Sequence, residues 1–227
     1  MNKPILYTCA GSRGLRCTWA AEEAGVELDL RMLPFPPRHK APEYLEINPL
    51  GTVPLLIDDY DPDEPEWDIH MTESCAIAHY LAAVHTKRHP ESLTIKPGEG
   101  DYAQYLDYTY HADATLTFPQ TVYMRFALFE THKGWSEAGE AYAKWFEKRL
   151  VKIETRLETR DYLCADRFTV ADICVGYALI LAGRVGLDDR LPDTLKAYRD
   201  RLTSRKAYKS ALAKEEAALT ALEEGSA

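Results

Sequence analysis

The chain has 227 residues, of which 46% are hydrophobic and 28% charged, the composition of an ordinary globular protein. Its formal net charge is −9 and its lysines and arginines form no cluster, which argues against a nucleic-acid-binding surface. The longest apolar run, residues 173–183, is too short to cross a bilayer. We therefore expect no nucleic-acid partner and no membrane insertion.

The cysteines indicate a reducing compartment. They are odd in number and widely spread, with no C-x-x-C pair and no secretory signal beside them, so a disulfide framework is not expected. A cytoplasmic location is the natural expectation. The five are Cys9, Cys17, Cys75, Cys164 and Cys174.

The first part of the chain alternates strand and helix patterns. Residues 4–8 form a β-type run, residues 15–25 a helical pattern that ends at a glycine, and residues 26–33 a period-two alternation. A strand, a helix and a strand in this order predict a βαβ unit with two parallel strands.

A second group of elements follows the proline-rich residues 34–40, which we expect to form a loop. The patterns predict a short helix, a hairpin and a longer helix, at 42–47, 55–57 with 66–70, and about 72–84. The acidic hairpin connection, residues 59–65, is interpreted as a solvated loop because nothing orders its carboxylates. We expect no metal.

After residue 100 every segment has helical periodicity, and Pro119 should kink or end the first of these helices. The change of pattern predicts a mixed α/β domain over 1–86, a linker over 87–100 and an all-helical domain over 101–227. The predicted helices cover 101–130, 135–160, 169–184, 193–202 and 204–222.

Three short motifs stand out. Residues 48–54 spell Asn-Pro-x-Gly-x-Val-Pro, and the bond between Val53 and Pro54 is a candidate cis peptide. A Glu-Ser pair opens the helix after the hairpin. Phe-Thr-Val-Ala-Asp at 168–172 predicts a capping box at a later helix start.

In this order and spacing the motifs resemble the cytosolic glutathione transferases, of the bacterial, theta-like, serine type. The resemblance covers nearly the whole chain. It implies a thioredoxin-like domain of order βαβ-ββα that binds glutathione as co-substrate, followed by an all-α helical-bundle domain with a pocket for a hydrophobic electrophile. It also implies a homodimer and a role in detoxification.

The family's glutathione site maps onto five positions besides the turn proline, Pro54. The backbone of Val53 would pair with the cysteinyl part, as an added strand pairs with a sheet edge. Glu73 and Ser74, at a helix start, would hold the γ-glutamyl end. His39 would reach the glycine end, while Thr52 stands where this branch often has a lysine, which weakens a side-chain contact there.

Catalysis needs a glutathione thiolate, because a free thiol with a pKa of about 8.5 is mostly protonated at neutral pH. A hydroxyl that donates to the sulfur at a helix start favours the thiolate. Ser12, followed by Arg16 four residues later, is the preferred candidate. Tyr7 is an alternative from the strand, and Cys9 is another, because Cys-x-x-Ser is typical of monothiol redox proteins of this superfamily.

Two matters stay open in the sequence. Tyr105, Tyr108 and Ala112 share a helical face and could line the pocket for the second substrate, although an aromatic stripe is more often core. Conjugation is the preferred activity. Thiol transfer, ether cleavage or dehalogenation through Cys9 or the same thiolate, and non-catalytic glutathione binding, are the alternatives.

Overall fold

The computed structural model describes residues 3–59, 68–85 and 93–225. Most of the predicted acidic connection, and the part of the predicted linker up to residue 92, lie outside these ranges. The chain divides into two compact units, one of residues 1–91 with 205–227 and the other of residues 92–204. Each unit has its own core and is described by itself.

The first unit is built on a four-stranded sheet of order β2-β1-β3-β4. Strand β1 pairs parallel with β2 and antiparallel with β3, and β3 pairs antiparallel with β4. This arrangement confirms the βαβ-ββα prediction. The elements are β1 (Ile5–Thr8), α1 (Leu15–Ala24), β2 (Asp29–Met32), α2 (Pro37–Lys40), α3 (Tyr44–Ile47), β3 (Leu55–Asp59), β4 (Asp68–Met71) and α4 (Ser74–Val84).

Two predicted boundaries in this unit were wrong. The second strand begins only at Asp29, because the residues before it connect α1 to the sheet without pairing with β1. Residues 34–40 are not all loop, since they contain the short helix α2. Its first residue is Pro37, and the missing N–H of a proline costs nothing at that position.

The sheet has a core on each face. Leu6 and Leu56 lie opposite each other in the β1–β3 register and are fully buried, as expected when residues of paired strands share a face. The alternate residues face the other way and join a smaller cluster beside α3. That cluster contains Ala41, Tyr44 and Leu55, with Tyr7, Leu33, Val53 and Ile57 packed against it.

The second unit is helical and surrounds one buried helix. Helix α9 is buried along nearly its whole length, as its apolar composition requires. None of the helices within the described ranges is long and apolar enough to span a membrane. The α-helices are α5 (Tyr102–His111), α6 (Phe118–Tyr123), α7 (Ser136–Arg149), α8 (Val151–Leu157), α9 (Val170–Arg184) and α10 (Asp193–Thr203).

The helical segment from α5 onward does not end at Pro119. Two π-helical stretches, Ala112–Thr117 and Met124–Phe129, flank α6, and Pro119 lies in the first turn of α6. A proline is tolerated in a first turn because its missing N–H needs no partner there. The π-helical turn before α6 is wider than an α-helical turn. A new first turn can therefore begin at α6 although the segment remains helical throughout.

Asp172 anchors the start of α9. The predicted capping box is present, with the Thr169 N–H donating to Asp172 Oδ2 at 2.8 Å. The other carboxylate oxygen accepts from the Leu163 N–H at 3.0 Å and from the Tyr198 hydroxyl at 2.6 Å. Asp172 is fully buried, so this carboxylate joins three separate segments inside the core.

The C-terminal helix α11 (Lys206–Gly225) belongs to the first unit, which corrects its assignment to the helical domain. It packs against α1. The Thr18 hydroxyl donates to the buried carboxylate of Glu215 at 2.9 Å, and the ring centroids of Trp19 and Tyr208 are 5.0 Å apart. Helix α11 therefore completes the cover over α1.

We expect Asp172→Ala to lower the free energy of unfolding by about 3 kcal/mol, because it leaves several buried donors without an acceptor. Chemical denaturation of the variant measures this loss. Asp193→Ala is the matched control, since the Asp193 side chain is fully exposed. Equal stabilities for the two variants would contradict the anchoring role.

Candidate functional site

The predicted site residues leave the sheet at one edge. Tyr7 lies opposite Leu55, and Leu56 lies opposite Met71, so the amino end of β3 meets the carboxyl ends of β1 and β4. The parallel strand β2 ends beside β1 at the same edge. The segments that carry Ser12, His39, Val53 and Ser74 follow or precede these strand ends. The fold therefore brings together four regions that are far apart in sequence.

Ser12 lies in the turn between β1 and α1 and is partly buried. Its N–H donates to the Cys9 carbonyl at 3.1 Å, and its Oγ accepts from the Gly14 N–H at 3.1 Å. The same oxygen lies 3.2 Å from the Thr8 hydroxyl. The side chain is thus held three residues before Leu15, the first residue of α1, close to the helix start where the dipole favours a negative charge.

Cys9 is placed unsuitably for thiol chemistry. It is 1% exposed, and its Sγ lies 3.9 Å from the Pro34 carbonyl. Burial, with a smaller effect from the Glu215 carboxylate, raises the pKa of the Cys9 thiol to about 11. Because the thiolate is the reactive form, the structure disfavours Cys9 as a nucleophile.

Tyr7 lies within β1, as the sequence indicated, and not in the turn. Its side chain belongs to the cluster beside α3, and its ring centroid is 5.4 Å from that of Tyr44. It shares a face with Ile5, while Thr8 and Leu6 point to the other face. Tyr7 and the Ser12–Thr8 pair are therefore on opposite sides of the strand.

The turn before β3 is held by a buried amide. Asn48 Nδ2 donates to the Thr52 carbonyl at 2.9 Å, and its Oδ1 accepts from the Leu50 N–H at 3.1 Å. The Tyr44 hydroxyl donates to the same Thr52 carbonyl at 2.8 Å. The Val53–Pro54 bond that follows is cis, as expected. These contacts fix the backbone on which Val53 stands.

Helix α2 contributes a second support for this turn. The guanidinium of Arg38 donates to the Leu50 carbonyl. Gly51 has a φ of +59°, and a Cβ there would lie 2.8 Å from Leu45 and 3.0 Å from Arg38, so glycine is required. The neighbouring His39 and Thr52 side chains are exposed, which leaves them accessible to a ligand.

At the start of α4, Ser74 is buried and its Oγ accepts from the Arg16 guanidinium at 2.9 Å. Arg16 is itself fully buried in α1. Glu73 is the exposed N-cap residue and makes no capping bond with its side chain. Accepting from Arg16 leaves the Ser74 hydroxyl able to donate, so this hydroxyl and the backbone N–H at the helix start are both candidates for binding an anion.

The predicted second-substrate pocket does not fit the structure. Tyr105 and Ala112 have no exposed surface, and Tyr108 is 5% exposed. Their shared face packs inside the second unit and offers no surface to a ligand. These residues instead form part of the core, which is the commoner role of an aromatic stripe on a helix.

The sequence alone did not indicate three residues that shape the site, which are Thr8, Gly14 and Tyr44. Tyr44 had a usable signal, because it lies one helical turn before Asn48 and its hydroxyl reaches the Thr52 carbonyl that Asn48 also binds. Thr8 and Gly14 had none, since their contacts with Ser12 depend on how the turn folds back on β1.

Within the described ranges, no group of three or more His, Cys, Asp or Glu residues is arranged to hold a metal.

These features belong to a known class of proteins. The family model for the glutathione S-transferase N-terminal domain matches residues 12–84. The chain is 30% identical to glutathione S-transferase 1 of Zea mays, over 70% of each sequence. The chain therefore belongs to the glutathione S-transferase family, and its first domain has the thioredoxin-like fold that the resemblance implied.

Two further similarities agree with this assignment. Glutathione S-transferase F10 of Arabidopsis thaliana is 28% identical over 77% of this chain and 80% of its own length. The structure of BphK, described as a bacterial glutathione transferase in a ternary complex, superposes with a TM-score of 0.76 at 26% identity. The superposition covers 93% of this chain and 99% of BphK.

We expect Asn48→Ala to lower the free energy of unfolding by about 2 kcal/mol, because the part-buried Thr52 carbonyl and Leu50 N–H both lose their hydrogen bond to the Asn48 amide. Tyr44→Phe is the matched variant: it removes only one donor to Thr52 and should cost about 1 kcal/mol. Urea denaturation of both proteins checks the order. A smaller effect for Asn48→Ala would show that its amide does not hold the turn.

We expect Cys9 to resist modification in the folded protein. With a pKa of about 11, about one thiol in a thousand is ionised at pH 8, and burial blocks access. Mass spectrometry after treatment with iodoacetamide or oxidised glutathione should show no adduct on Cys9, whereas the protein unfolded in guanidinium should be alkylated. An adduct on native Cys9 would restore the thiol-transfer hypothesis.

Proposed function

We propose that this protein is a glutathione transferase in which Ser12 stabilises the glutathione thiolate and the thiolate attacks a hydrophobic electrophile. The observation that carries the proposal is the Ser12 hydroxyl, held by the Gly14 N–H at the start of α1. It lies at the sheet edge where the other candidate residues meet. Glutathione is taken as the ligand because the chain belongs to the glutathione S-transferase family.

The reaction requires a hydrogen-bond donor to the glutathione sulfur. A thiol with a pKa of about 8.5 is mostly protonated at pH 7, and hydrogen bonding to the thiolate lowers that pKa. The Ser12 oxygen already accepts from a backbone N–H, so its proton can be given to the sulfur. The first turn of α1 adds a favourable dipole. Catalysis would then come from generating and positioning a thiolate.

The rest of the tripeptide extends along the same edge. The Val53 backbone would pair with the cysteinyl part, on a turn that Asn48 holds in place. The N–H groups at the start of α4 would receive the γ-glutamyl carboxylate at Ser74, with the exposed Glu73 carboxylate near its ammonium. His39, exposed on α2, would reach the glycine carboxylate.

The family also supports a homodimer and a role in detoxification, and we extend the proposal to both. A cytoplasmic location is supported by the cysteines, since all five are buried free thiols. The proposed serine-type mechanism supports the further proposal that the protein is of the bacterial, theta-like type. Ether cleavage and dehalogenation begin with the same thiolate, whereas the burial of Cys9 disfavours thiol transfer through that residue.

We expect Ser12→Ala to lower kcat/KM for conjugation by about 100-fold, the usual cost of removing one hydrogen-bond donor from a developing or stabilised anion. The variant should still bind immobilised glutathione, because the contacts of Val53 and Ser74 remain. Turnover with an aryl halide, measured across pH, checks the loss.

The matched control is Ser136→Ala, which removes an exposed hydroxyl from the second unit. It should conjugate at the rate of the unmodified protein. Full activity in Ser12→Ala would contradict the assignment of Ser12. Tight glutathione binding without turnover of any electrophile by the unmodified protein would favour the non-catalytic alternative.

A further inference from the structure

The hydroxyl of Thr8 lies directly behind Ser12. Thr8 is the last residue of β1 and has no exposed surface. Its Oγ1 is 3.2 Å from Ser12 Oγ and 3.4 Å from the carbonyl of Cys9. A buried hydroxyl stays hydrogen-bonded, so its proton goes to one of these two oxygens.

The Ser12 oxygen has a limited number of positions. A serine hydroxyl can accept two hydrogen bonds and donate one. The Gly14 N–H already occupies one acceptor position at 3.1 Å. If Thr8 donates to the second acceptor position, both acceptor positions of Ser12 Oγ are filled by protein groups. The Ser12 proton can then be donated to a bound ligand.

Gly14 makes room for this contact. A Cβ at Gly14 would lie 1.9 Å from Thr8 Oγ1 and 3.3 Å from Ser12 Oγ. Any side chain there would push the Thr8 hydroxyl away from Ser12. The close approach of the turn to β1 is thus what places the two hydroxyls together.

We propose that Thr8 is a positioning residue of the transferase reaction, whose hydroxyl donates to Ser12 Oγ and directs the Ser12 proton at the glutathione sulfur. This inference depends on the function proposed above. Without a thiolate, the two protons can point the other way, from Ser12 to Thr8 and from Thr8 to the Cys9 carbonyl. With a thiolate bound, the Ser12 proton turns to the sulfur, the Thr8 proton moves from the Cys9 carbonyl to Ser12 Oγ, and each bond then strengthens the next.

The test compares Thr8→Val, which keeps the shape and removes the hydroxyl, with Thr8→Ser, which keeps the hydroxyl. The pKa of bound glutathione is measured from the ultraviolet absorbance of its thiolate, together with the pH profile of kcat/KM. Thr8→Val should raise that pKa by about one unit and lower kcat/KM about tenfold at pH values below it, because Ser12 loses the hydrogen bond that directs its proton at the sulfur. Glutathione KM should stay within about twofold, because Thr8 lies out of the ligand's reach.

The Thr8→Ser variant should restore the pKa, and Thr109→Val serves as a control for losing a buried hydroxyl elsewhere, since the Thr109 hydroxyl donates to the Tyr105 carbonyl within α5. If Thr8→Val proves unstable, Thr8→Ala replaces it. Adding Thr8→Val to Ser12→Ala should have no further effect on the pKa, because Thr8 acts through Ser12.

An unchanged thiol pKa in Thr8→Val, or a Thr8→Ser variant that behaves like it, would overturn the role of Thr8 while Ser12→Ala still shifts the pKa. If Ser12→Ala leaves the pKa unchanged, the proposed role of Ser12 fails first, and that of Thr8 fails with it. The two failures are therefore distinguishable.

Discussion

The site depends on the position of β3 between β1 and β4, antiparallel to both. This pairing brings the amino end of one strand to the carboxyl ends of its neighbours. An all-parallel sheet would place the Val53 turn at the edge opposite to Ser12. The mixed sheet therefore decides whether the candidate residues can contact one extended ligand at all.

Buried polar contacts then hold each segment at that edge. Asn48 fixes the turn before β3, Arg16 joins α1 to the start of α4, and Thr8 lies against Ser12. These side chains are buried, whereas His39 and Glu73, which would touch the ligand, are exposed. The division separates residues that shape the site from residues that are free to bind.

The fold was predictable from the sequence because periodicity and turn residues are local signals. The strands, the capping box at Thr169 and the cis bond before Pro54 all follow from neighbouring residues. The assignment of α11 failed because an amphipathic helix does not encode which unit it covers. Its contact with α1 depends on Thr18 and Glu215, 197 residues apart.

The site was predictable only in part, for the same reason. Cys9 and Ser12 have similar positions in the sequence, and only the folded turn shows that the thiol is buried beside Pro34 while the hydroxyl meets Gly14. The stripe of Tyr105 and Ala112 had the correct helical spacing, but spacing alone cannot show whether a face packs inward. Thr8 is an ordinary strand residue until the turn folds back onto it.

The most direct measurement is a crystal structure with glutathione bound. We expect the sulfur within hydrogen-bonding distance of Ser12 Oγ, at the start of α1, with the cysteinyl backbone paired to Val53. A sulfur bound instead by the Tyr7 hydroxyl, or joined to Cys9, would contradict this expectation.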